Sequence, residues 1–197
     1  MLSKFDDYPI HQTPEPVYHT ASSDRFFYDR YWYNGHARDG SFYFGVGLCR
    51  YANLGILDCS LSLAIDGHQY AFHGSRRAPH EPTDTTVGPF ALQILEPMGR
   101  HCVVIEPNET GITCDLVFTP RTACIEEGRQ TLRNERHIVM DATRLDQFGF
   151  WSGWIRYDGR ELKVDGRTTF GLKDRSWGIR PVGEAYTGGA PLAEFQA

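Results

Sequence analysis

Long apolar runs are missing from this 197-residue chain. None approaches the roughly 20 residues that a membrane-spanning helix requires, so no membrane span is expected. The first seven residues, Met1 to Asp7, hold no apolar signal core, and a cytoplasmic location is the default expectation. Positive charge is in short supply, 20 Lys and Arg against 25 Asp and Glu, for a net −5. That leaves no whole-protein basic field to hold nucleic acid. The five cysteines are an odd number without a C-x-x-C, which argues against a disulfide framework and a zinc knuckle. Cys49 and Cys59 are placed to face each other across a hairpin, and as reduced, buried thiols they need no further role. The eight histidines show no metal spacing, so neither a metal nor a cofactor is expected. Gly45-x-Gly47 is no dinucleotide fingerprint, because no helix follows it, and no nucleophile elbow appears.

What is present is aromatic and strand-like. Phe, Trp and Tyr make up 13% of the chain, enough for strands or an aromatic-lined cavity. Met1 to Ser23, broken by Pro9, Pro14 and Pro16, reads as a surface arm. From Arg25 onward, aromatic and β-branched runs alternate with turn signals at Asn34-Gly35, Asp39-Gly40 and Asn53-Leu54-Gly55. Asp66-Gly67 and Asp158-Gly159 each suit a two-residue type I′ turn. They set Ile65 against His68 and Leu61 against Phe72, then Ile155 against Leu162, Trp154 against Lys163 and Trp151 opposite Gly166. Around Pro107 to Thr110 the expected pairs are Ile105 with Ile112 and Val103 with Cys114. Pro120 to Gln147 is charged and lacks a helical stripe, so it reads as a long excursion with one helical turn and a short strand at 137–140. About nine hairpin-linked strands predict an all-β antiparallel sandwich or barrel, with a closed barrel favoured by the internal glycines. The domain expectation is an arm at 1–23, a barrel at 24–183, and a tail or truncated linker at 184–197.

The chemistry concentrates in Gly171 to Pro181, where Asp174, Trp177 and three cations lie within a few residues. The glycines and Pro181 predict a shaped loop that aims Asp174 and Trp177 into a cavity. The plainer reading pairs Asp174 with Arg175 or Arg180 and leaves Trp177 to plug a core.

The strings Asp29-Arg30-Tyr31-Trp32-Tyr33-Asn34-Gly35, Phe42 to Gly47, Phe148 to Gly153 and Asp174-Arg175-Ser176-Trp177-Gly178-Ile179-Arg180 carry a resemblance. The chain resembles the hydroxyneurosporene synthase (carotenoid 1,2-hydratase) family and the AttH-like proteins, in an uncharacterised bacterial branch. The resemblance implies a lipocalin-like, calycin-type barrel, the first of two in tandem. A homodimer or a separate second barrel domain would then cover the interface left open. It also implies a hydrophobic partner, an isoprenoid, polyketide or lipid, held in the barrel by Trp177, Tyr31, Trp32, Trp151 and Arg180. The alternative it implies is a lyase, hydratase or pericyclic cyclase acting on an isoprenoid or polyene. Asp174 is then the acid, since burial raises a carboxyl pKa and aromatic faces stabilise a carbocation.

Overall fold

Turn chemistry sets this fold. A computed structural model describes residues 2–180; the expected tail at 184–197 lies outside the described residues. Among those residues there are thirteen strands. The first six are β1 (Phe27–Ala37), β2 (Phe42–Tyr51), β3 (Ile56–Ile65), β4 (His68–Arg77), β5 (Thr86–Val87) and β6 (Phe90–Ile94). Then come β7 (His101–Ile105), β8 (Thr113–Pro120), β9 (Ile125–Glu126), β10 (Gln130–Asn134), β11 (His137–Tyr157), β12 (Arg160–Val164) and β13 (Thr169–Ile179). All pair antiparallel in one sheet, ordered β4-β3-β2-β1-β13-β11-β8-β7-β6-β5, with β9, β10 and β12 also on β11. Contacts of β5 with β3 and β4 bring the two ends of that order together. The result is a nearly closed lipocalin-like barrel, which leaves little free edge.

The Asp-Gly turns behave as their chemistry demands. Asp66 and Gly67 have φ of 53° and 75°, and Asp158 and Gly159 have 47° and 69°. Ile65 meets His68, Leu61 meets Phe72, Ile155 meets Leu162 and Trp154 meets Lys163, as expected. β12 ends at Val164, so Trp151 and Gly166 are not a strand pair.

Four further expectations are corrected. Asn34-Gly35 is not a turn; β1 runs through it, and the chain reverses at Asp39-Gly40 instead. Gly35 is there for space, since a Cβ on it would stand 2.1 Å from the Phe44 ring. The β7–β8 register is two residues off the expected one: Ile105 pairs with Cys114 and Val103 with Leu116. The connection is longer because Asn108 ties it internally, donating to the Glu106 and Ile112 carbonyls. An even shift keeps every side chain on its expected face. The charged 120–147 stretch has no helical turn; it forms β9, β10 and the first half of a 21-residue β11. Cys49 and Cys59 do not face each other, because Cys49 pairs with Asp58 while Leu48 pairs with Cys59.

One face of the sheet encloses the core. Tyr33, Phe44, Phe118 and Trp151 are fully buried there, their rings packed edge to face with centroids 5.3 to 5.8 Å apart. They are seated over a row of glycines: Gly35 pairs with Gly171, and Gly171 with Gly149, across three neighbouring strands. The arm docks beside the barrel mouth. Asp6 gathers the Ser3 and Val17 amides and His11, and the Lys4 amide donates to Glu81.

Candidate functional site

Residues 171–179 lie within β13 and reach its end; they are a strand, not a loop. β13 sits between β1 and β11, so its side chains alternate between the hollow and the outside. Gly171, Lys173, Arg175 and Trp177 share the face of Trp151; Leu172, Asp174 and Ser176 share the other. The glycines do not break the strand: a Cβ on Gly171 would stand 2.4 Å from the Trp151 indole nitrogen. Gly178, with φ of 134°, leaves room for the Asp141 carbonyl.

Inside, two rows of paired residues build the mouth: Tyr31 with Arg175 and Leu145, then Tyr33 with Lys173 and Gln147. The Arg175 guanidinium ion-pairs with Asp29 and lies 4.1 Å from the centre of the Tyr31 ring, and 5.4 Å from that of Trp177. Burial works against its charge, but Asp29 and Tyr31 more than offset that and raise its pKa. Below it His101 and the Tyr33 hydroxyl lie 2.5 Å apart and both are buried. Burial, then the charges of Lys173 and Arg175, push the imidazole down to about 4. The neutral ring shares a hydrogen bond between Nδ1 and the Tyr33 hydroxyl, its direction set by the tautomer. Desolvation raises the Tyr33 phenol well above its ordinary value. Lys173 is 2% exposed, and burial lowers its pKa, with Cys124 opposing and Arg175 adding to the effect.

These side chains border two adjoining hollows. The outer one, about 600 Å³, has apolar walls from Leu48, Leu57, Leu92, Ile94 and Phe5 of the arm. The inner one, about 230 Å³, holds Lys173 and His101. Tyr31, Ile94, Pro97 and Arg175 line both.

Outside, Asp174 accepts from Arg30 at 2.8 Å and lies 3.9 Å from Arg144. Neither Arg175 nor Arg180 is its partner: Arg175 faces the hollow and pairs with Asp29, and Arg180, just past the strand, lies over the Tyr28 ring. Asp146 is its neighbour on β11. Burial, a hydrogen bond with Glu127 and the charge of Asp174 push Asp146 up to about 6. This is a polar belt on the barrel wall, and Asp174 lines neither hollow.

The sequence candidates thus fall into separate groups. Tyr31 lines the mouth, and Trp177 is on the same face through Arg175. Trp32 is on the outer face, paired with Asp174. Trp151 is fully buried core, donating its indole N–H to the Asn34 carbonyl at 2.8 Å. Arg180 lies 5.3 Å from the Tyr28 ring, beside a small second cluster of Tyr28, Cys49 and Ala142. The structure does not bring Asp174 and Trp177 together. Sequence reasoning passed over Lys173, His101, Tyr33 and Phe5; reading 169–179 as a strand would have marked Lys173 by its parity with Trp151 and Arg175.

A family model matches residues 2–197. The chain belongs to DUF8625, a family of unknown function. No curated protein sequence matches this DUF8625 chain. Among solved structures, kievitone hydratase from Nectria haematococca is similar at a TM-score of 0.57 and 12% identity, over 75% of this chain and 47% of that one. CghA is similar at a TM-score of 0.50 and 17% identity, over 78% of this chain and 46% of that one. At such identity the likeness shows the fold alone. The DUF8625 chain spans about half the length of either.

Proposed function

We propose that this barrel binds a small, largely apolar molecule at its mouth. The observation that carries the proposal is the outer hollow, about 600 Å³, with Phe5, Leu48, Leu57, Leu92 and Ile94 as an apolar wall, the Arg175 guanidinium stacked on Tyr31, and polar groups such as Asp84 and Arg50 on its rim. Its volume and wall chemistry suit a small-molecule site. Tyr31, Ile94 and Arg175 are the residues that a ligand meets on passing inward. The finer kinship, to carotenoid hydratases and AttH-like proteins, is part of this reading and would make the molecule an isoprenoid, polyketide or lipid. Hydratase or cyclase chemistry with Asp174 as the acid has less support. Asp174 faces the outer belt and is held by Arg30, away from the hollow.

The test uses the neutral fluorophore N-phenyl-1-naphthylamine, with native mass spectrometry for apolar molecules that co-purify. Ile94→Trp fills the mouth at a position already 43% exposed, so the fold should tolerate it. Binding is expected to fall at least about tenfold in Ile94→Trp, by steric exclusion, and to be unchanged in Asp174→Asn. Equal binding by Ile94→Trp and wild type would refute the mouth as the site.

A further inference from the structure

Lys173 stands out because its charge has no counterpart. The side chain is buried to 2% exposure, and among the described residues it has no hydrogen bond or ion pair. It lines the inner hollow of about 230 Å³. Cys124 favours its charge, but the other groups around it do not balance it. Arg175, two residues along β13, is a second cation, already matched by Asp29. His101 from β7 is occupied by the Tyr33 hydroxyl from β1. Gln147, its partner on β11, spends its amide N–H groups on the Met98 and Thr122 carbonyls. No carboxylate lines the inner hollow. A buried cation and a partly exposed one therefore share one acid, and a largely buried ammonium left unpaired is costly.

We propose that Lys173 anchors an acidic head group, so that the barrel takes amphipathic carboxylic acids, carboxylate inward on Lys173 and apolar part in the outer hollow. This rests on the mouth-binding reading above and adds the ligand's chemical class. A carboxylate in the inner hollow supplies the one missing negative charge. Arg175, which lines both hollows, offers a second donor on the path to it. Depression of the Lys173 pKa by burial fits an amine waiting for an anion. The adjoining apolar walls explain why the acid would carry a hydrocarbon body rather than be a free inorganic anion.

The experiment compares decanoate, 1-decanol and decanal as probes by calorimetry on the full chain. Wild type should bind decanoate at least about tenfold more tightly than decanol, the scale of one charged hydrogen bond. Lys173→Met should abolish that preference while keeping decanol binding, and Lys173→Gln serves if the methionine variant does not fold. Equal affinity of wild type for decanoate and decanol would overturn the acid anchor and leave mouth binding standing. A preference that persists in folded Lys173 variants would also overturn it. So would a borohydride-trapped decanal adduct on Lys173, which would mark the amine as a carbonyl-reactive group instead. If none of the three probes binds, both proposals fall.

Discussion

Gly171→Ala is the most telling perturbation of the scaffold. The new methyl would meet the Trp151 indole nitrogen at 2.4 Å and the Asn34 carbonyl oxygen at 2.5 Å. Neither can yield easily. Trp151 is fully buried and wedged by the Tyr33, Phe44 and Phe118 rings, and Asn34 is held in β1 between two paired strands. The methyl also intrudes on the indole N–H bond to Asn34. Overpacking of this kind costs about 1–3 kcal/mol, and loss of a buried hydrogen bond about 1–3 more. A total of about 2–6 kcal/mol lowers the Tm of a chain this size by roughly 4–24 °C. Urea unfolding followed by far-UV circular dichroism measures it without depending on the indole signal. Adding Trp151→Phe removes the indole nitrogen, the nearest of the clashing atoms, so the double variant should recover at least about 1 kcal/mol relative to the sum of the single ones. A Gly171→Ala variant within about 0.5 kcal/mol of wild type, or strict additivity with Trp151→Phe, would refute the view that this glycine row seats the aromatic core.

Two buried groups give opposed pH dependences. His101 titrates near 4 when folded and near 6.5 when unfolded, so its contribution is intact above about 6.5 and about 3 kcal/mol is lost as pH falls to about 4. Asp146 titrates near 6 when folded, above its unfolded value, so its contribution is intact below about 4 and is lost as pH rises through 6. Between pH 4 and 6.5, Asp146→Asn should therefore steepen the rise of Tm with pH and His101→Gln should flatten or reverse it; parallel profiles would count against both assignments. Tyr33→Phe strips His101 of its buried partner and should cost about 1–3 kcal/mol, read as a lower urea midpoint at unchanged m-value. Asn108→Ala frees the β7–β8 connection and should cost about 1 kcal/mol, while an unchanged midpoint would mean that the loop holds its register without the side chain.

How much of this was legible depended on the range of the interaction. Asp66-Gly67 and Asp158-Gly159 carry their geometry within four residues, and the pairs they set were readable without coordinates. Asn34-Gly35 carries the same local signal and misleads, because the deciding contact is with Phe44 on the next strand. The expectation for 171–181 failed for the same reason. Gly171 and Gly178 look like breakers until one sees what they make room for, an indole and the Asp141 carbonyl. Once the segment is a central strand, alternation does the rest: Asp174 and Trp177, three apart, must face opposite ways. The acid that drew attention belongs to the outer belt, and the cations on either side of it, Lys173 and Arg175, face the hollow. The carbocation chemistry expected for Asp174 needs an acid beside apolar and aromatic walls. This hollow offers the reverse, an unbalanced positive charge beside such walls, which is the electrostatics of holding an anion rather than of protonating an alkene.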